Sequence, residues 1–77
     1  MFVGVYYRDD AFDGYKIGRA YTYHTQMDLK PGDRVICPTA KNPLQRGMVA
    51  EINLPQPTFA CRSITQYDTE KAVTVDE

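Results

Sequence analysis

The chemistry this chain can offer lies in its rings and its cations. Six tyrosines and three phenylalanines, with no tryptophan, fall within 77 residues. Tyr21 and Tyr23 flank Thr22 in Ala20-Tyr21-Thr22-Tyr23-His24. On an extended strand, residues two apart share a face, so both rings point one way and Thr22 and His24 the other. Two rings on one face beside cations are what a pocket for an unpaired base requires. Each exposed ring can stack a base for about 1–3 kcal/mol. Lys41, Arg46 and Arg62 are the candidate phosphate contacts. The same rings also serve as core filler in small β domains and as anchors in protein interfaces. The same cations also serve as plain surface charge.

Reactive constellations are missing from the sequence. There is no G-x-x-x-x-G-K-[ST] phosphate cradle and no G-x-S-x-G elbow. Ser63 is the sole serine and His24 the sole histidine. A pairing of His24 with Cys37 or Cys61 has no local motif behind it. Asp9 and Asp10 follow Arg8 at a strand end and read as a solvated turn rather than a general acid/base pair. With no C-x-x-C and one histidine, Cys37 and Cys61 do not spell a zinc site. The expectation is a non-catalytic module without metal or cofactor.

Charge and length narrow the class further. Nine basic residues face ten acidic ones, for a net charge of −1. That is not the global footprint of a strongly cationic nucleic-acid binder, so any attraction to phosphates must be local. The charges do segregate. Lys30, Arg34, Lys41, Arg46 and Arg62 share the middle with only Asp33 and Glu51, whereas Asp68, Glu70, Asp76 and Glu77 crowd the end. No apolar run approaches the ~20 residues that span a bilayer, and no export signal is read at the start. A cytoplasmic address without a membrane partner follows as an expectation. In that setting Cys37 and Cys61 are read as two thiols, buried or half-buried, rather than a bridge.

The elements that must position these groups read as short strands between turn residues. Phe2 to Tyr7 is rich in β-branched and aromatic residues. Phe12-Asp13-Gly14-Tyr15 reads as a turn, and Ala20 to His24 as a second strand. Pro31-Gly32 suits the centre of a type II turn, where glycine accepts positive φ. Asp33 to Pro38 is a third strand, stopped by a proline that cannot donate to a ladder. Arg46 to Asn53 is a fourth, with Gly47 read as a bulge or a sharp barrel bend. Leu54-Pro55-Gln56-Pro57 is a stiff connector. Phe59 to Tyr67 fits a last strand or a short helix, because its apolar residues follow neither period cleanly. Val73-Thr74-Val75 reads as a short edge strand, and residues 70–77 as a frayed end. The sum is one mostly-β domain over residues 1–77, a small SH3- or OB-like barrel of about five strands.

The ordered set of motifs resembles a known family. Ala20-Tyr21-Thr22-Tyr23, Gly32-Asp33-Arg34-Val35-Ile36-Cys37-Pro38-Thr39-Ala40, Arg46-Gly47-Met48-Val49 and Cys61-Arg62-Ser63-Ile64-Thr65-Gln66-Tyr67-Asp68 occur in that order. They are similar to the aromatic "T-F-D-Y" segment, the "G-D-R-V-x-V-P-F-G" strand-loop, the "G-x-V" strand and the "L-K-x-I-x-x-x-L-D" segment of one domain. That domain is the N-terminal 3′-end DNA-binding module of PriA, the primosomal replication-restart helicase. The resemblance spans roughly residues 2 to 73. It implies a small β-barrel that holds single-stranded DNA or a DNA 3′ end. It places Tyr21 and Tyr23 at the pocket aromatics and Arg62 at a pocket lysine. Thr39, Ala40 and Lys41 fall in the loop over the sugar end. Two positions depart from the pattern. The family's base-reading acid is Thr22 here, and a hydroxyl is not a charged acceptor. The Phe-Gly after the strand proline is Thr39-Ala40. The helicase motor is not in this sequence. Alongside the family's replication context, the resemblance then implies a phage or mobile-element gene, or a module that has drifted to a new partner. The other reading of the exposed aromatics is an SH3-like protein-interaction module that holds a host or replication protein.

Overall fold

Alternation along the first strand sets the barrel. A computed structural model describes residues 1–9, 11 and 14–68. In chain order these form β1 (Phe2–Asp9), β2 (Gly14–Tyr15), β3 (Tyr21–Thr25), β4 (Arg34–Ile36), β5 (Arg46–Leu54) and β6 (Ser63–Ile64). There is no helix among the described residues. None, therefore, is long and apolar enough to cross a membrane.

Val3 and Val5 of β1 point inward and are fully buried. The strand is flanked antiparallel by β3 on one side and β5 on the other, and β2 pairs with its far end. The sheet order is β4-β5-β1-β3-β6. The chain beyond β6 then crosses to β4. Val35 bridges Tyr67, the Ile36 amide donates to Gln66 O at 3.1 Å, and the Asp68 amide donates to Arg34 O at 3.0 Å. One short segment thus pairs with β3 at its start, in parallel, and with β4 at its end. The sheet becomes a nearly closed barrel, and closure removes edges that would otherwise recruit other chains.

Packing and turn chemistry hold that shape. Leu29, Val35, Cys37, Val49 and Ile64 join Val3 and Val5 in the core. Thr25 is buried among them, but its hydroxyl donates to Ile64 O at 3.0 Å and accepts from the Met27 amide at 3.0 Å. A buried hydroxyl left unpaired would cost about 1–3 kcal/mol, so this bonding fixes β6 against β3. Pro31-Gly32 turns as expected. Gly32 has φ of 95°, and the Asp33 amide donates to Lys30 O at 3.0 Å.

Other expectations are corrected. Gly47 is not a bulge: Val5, Tyr6 and Tyr7 face Val49, Met48 and Gly47 in unbroken register. The irregularities lie further along β5, opposite the Phe2–Val5 stretch. They shift the facing, so Val49 and Ile52 both reach the core although three residues apart. Asn53 takes a left-handed φ of 56° there, which asparagine tolerates better than most side chains. Gly47 is needed for space instead. A Cβ on it would stand 2.6 Å from Cys37 Sγ and 2.9 Å from Tyr6 O. Gly14-Tyr15, read as part of a turn, is the short strand β2; Phe12 and Asp13 lie outside the described residues. Of Phe59 to Tyr67, only Ser63–Ile64 and the Tyr67 bridge are strand-like. The expected edge strand at Val73-Thr74-Val75 and the frayed end at residues 70–77 also lie outside the described residues.

Candidate functional site

The register of β3 decides what its tyrosines do. Tyr23 lies opposite Val3, and Tyr21 opposite Val5. Directly opposed residues share a sheet face, so both rings are on the core side, as alternation predicts. They do different work there. Tyr23 is 4% exposed. Its hydroxyl lies 2.8 Å from Pro38 O, 3.2 Å from Cys37 O and 2.8 Å from the Tyr7 hydroxyl. Tyr23 therefore ties the start of the β4–β5 loop to the barrel. Burial pushes its phenol well above the ordinary tyrosine range, and that of Tyr7 also upward. Tyr23 is a floor, not an open stacking face.

Tyr21 stands one rung higher and is half-buried. Its ring stacks on Tyr7 with centroids 4.2 Å apart and planes within 5°. The Arg19 guanidinium lies over the Tyr21 ring at 5.3 Å. Tyr7 follows Val3 and Val5 in the inward column of β1, which brings it to this end of the barrel.

Beside these rings the sheet opens. Thr25 exchanges main-chain hydrogen bonds with Met1, at 2.9 and 3.1 Å, across the β1 side of β3. Alternate residues turn their peptide groups the other way, and the His24 amide accordingly donates to Arg62 O at 3.0 Å. Thr22 shares that orientation. Its N–H and C=O face the Phe59–Arg62 segment and meet no partner among the described residues. The two segments diverge beyond His24 and leave a groove of about 270 Å³. Tyr7, Tyr21 and Thr22 line one side and Phe59 to Arg62 the other, with Tyr23 at the floor. Phe59 is 62% exposed, and Arg62 is exposed beside it. No acid is among the described residues that line the groove.

The structure thus gathers Tyr21, Thr22, Tyr23 and Arg62 at one place. Thr39 and Lys41 lie in the β4–β5 loop and do not line the groove. Thr39 Oγ1 accepts from the Asn42 amide at 2.9 Å and shapes that loop, while Lys41 is exposed. Arg46 is half-buried on β5, with Nε 4.0 Å from the Asp68 carboxylate. Sequence reasoning missed Tyr7, Arg19 and Phe59 as site residues. The place of Tyr7 in the Val3-Val5-Tyr7 column was a usable signal. Phe59, in a proline-flanked loop, carried none.

A second depression of about 330 Å³ lies on the outer side of the β3–β6 junction, lined in part by His24, Met27 and Ser63. His24 and Ser63 are register partners, and the Phe2 ring packs edge-on to His24 at 5.2 Å. It has more room but no Lys or Arg among the described residues that line it. The tyrosine groove is the better-equipped site. Among the described residues, no group of three His, Cys, Asp or Glu side chains is placed to hold a metal ion. Cys37 is buried and Cys61 half-buried, and both are free thiols. No family model, curated protein or solved structure matches this chain.

Proposed function

We propose that this chain is a non-catalytic module that binds single-stranded DNA, or a DNA end, in the groove between β3 and Phe59–Arg62. One observation carries the reading. A largely exposed phenylalanine, Phe59, stands across from a stacked tyrosine pair, with Arg62 on the same wall and no acid among the described lining residues. Aromatic faces stack bases regardless of sequence, and guanidinium groups follow the phosphates. The Thr22 peptide adds a donor and an acceptor at the groove wall, the kind of pair a base edge can meet. The ordered motif resemblance to the PriA N-terminal domain supports the same reading, with a cytoplasmic replication, phage or mobile-element setting.

Fluorescence anisotropy with a labelled single strand tests it. Binding at low salt that weakens as salt rises is the expected result. Absence of binding at low salt removes the proposal. A second reading rests on the open Thr22 edge, since an extended peptide can add itself to such an edge. A partner protein that survives nuclease treatment in a pull-down, with no affinity for single strands, would favour it.

A further inference from the structure

One proton, counted carefully, gives the groove a polarity. A phenol has a single O–H to donate and lone pairs to accept with. The Tyr23 hydroxyl sits against Pro38 O at 2.8 Å and Cys37 O at 3.2 Å. Carbonyl oxygens only accept, so the Tyr23 proton is committed to them. The contact between Tyr23 and Tyr7, at 2.8 Å, must then be made with the proton of Tyr7. Tyr7 has no second proton. Its phenolic oxygen is left with acceptor capacity alone, and Tyr7 is among the residues that line the groove. The alternative order would set two oxygen lone pairs against each other at hydrogen-bond distance. Burial disfavours the phenolate at both tyrosines, so the chain of protons holds at neutral pH.

From this we infer that the groove selects for a ligand group that donates a hydrogen bond to Tyr7 Oη, and so for bases with an exocyclic amine, such as cytosine, over bases with a carbonyl at that position. The inference rests on the nucleic-acid reading above and sharpens it to a base class. Cytosine and uracil make the cleanest comparison. They share ring size and stacking surface, but cytosine offers an N4 amine where uracil offers an O4 acceptor, as thymine does. The neighbouring N3 changes in the opposite sense, from acceptor to N–H donor, so the comparison reads the exocyclic group that the base turns to Tyr7 Oη. Oxygen facing oxygen is penalised; amine facing oxygen is bonded.

The direction of the effect depends on Tyr23, which touches no ligand in this scheme and acts as a positioning residue. In Tyr23→Phe the committed acceptor disappears. Tyr7 regains a proton to turn toward the groove, and the discrimination shrinks. In Tyr7→Phe the stacking ring remains but the acceptor is gone.

The experiment is anisotropy with short labelled oligo(dC) and oligo(dU) at neutral pH, on the full chain and both variants. The wild type is expected to hold oligo(dC) roughly 2- to 10-fold more tightly, the range of one neutral hydrogen bond. Tyr7→Phe should lose that ratio through weaker oligo(dC) binding, and Tyr23→Phe through stronger oligo(dU) binding. The wild-type ratio alone decides the case should a variant fold poorly. Equal affinities, or a preference for oligo(dU), overturn the inference while leaving nucleic-acid binding in place. Binding of neither oligomer overturns both.

Discussion

Tyr7 and Tyr21 stack with centroids 4.2 Å apart and planes within 5° of parallel, although they belong to different strands. The pairing follows from register. Val5 lies opposite Tyr21, and Tyr7 is the next inward residue along β1. The stack closes one end of an aliphatic core and at the same time builds a wall of the groove. A single packing unit therefore serves the core and, in the proposed function, the bound strand as well, and variants separate the two only where a ring is exposed.

Phe59 is that ring. Being 62% exposed, it contributes little to the core. Phe59→Ala should leave thermal unfolding nearly unchanged while lowering single-strand affinity by about 1–3 kcal/mol, the scale of one lost stacking contact. Paired melting and titration curves check it.

The cations at the groove are few, so salt dependence should be shallow. Each phosphate neutralised contributes about −0.7 to the slope of log affinity against log salt for a single strand. Arg62→Ala is expected to flatten the slope by about that amount. Lys41→Ala, in a loop that does not line the groove, should leave it unchanged. A salt series on each variant reads the difference directly.

Gly47→Ala should be severe for its size. The new methyl would meet Cys37 Sγ at 2.6 Å and the Tyr6 carbonyl at 2.9 Å. Overpacking of this kind costs about 1–3 kcal/mol, or a fall in Tm of roughly 5–20 °C for so small a domain. Cys37→Ala in the same chain should restore only part of the loss, because the carbonyl contact remains. Calorimetry or circular-dichroism melts measure it.

The two thiols should behave differently. Burial pushes the Cys37 thiol up to about 12, from an ordinary 9.0. In native protein at mildly alkaline pH, a thiol reagent should titrate Cys61 quickly and reach Cys37 only after denaturation. The sign for stability follows. A folded-state value above the unfolded one means that folding favours the protonated thiol. The contribution is intact below pH 9.0 and is lost as pH climbs toward 12. Tyr7 and Tyr23, also shifted upward by burial, add to the same loss. Chemical denaturation across alkaline pH should show falling stability without an acid counterpart from these groups.

Much of the barrel was legible in the sequence because its signals are local. The β-branched and aromatic residues of Phe2 to Tyr7 mark a strand, and Pro31-Gly32 specifies its own turn. What could not be read depends on contacts between distant residues. The end of the barrel closes through Gln66 and Asp68 on β4, a pairing too short to impose a period. Gly47 reads as a bulge or a sharp bend because glycine marks bulges, bends and close approaches alike. Only the register and the positions of the Cys37 sulfur and the Tyr6 carbonyl rule out the bulge and reveal the close approach. At the site, alternation placed Tyr21 and Tyr23 on one face. It did not show that Tyr23 is spent on the Pro38 carbonyl, or that Tyr7 and Phe59 complete the walls. Those facts require the cross-strand register and the divergence of two segments on the Thr22 side of His24.

Chemical-shift mapping of the amide resonances with a short single strand tests the central claim most directly. The shifts should concentrate at Tyr7, Tyr21, Thr22 and the Phe59–Arg62 segment, with Thr22 among the largest because its peptide faces the groove and meets no partner among the described residues. Shifts confined to the β4–β5 loop around Thr39 and Lys41, or none at saturating strand, would contradict it.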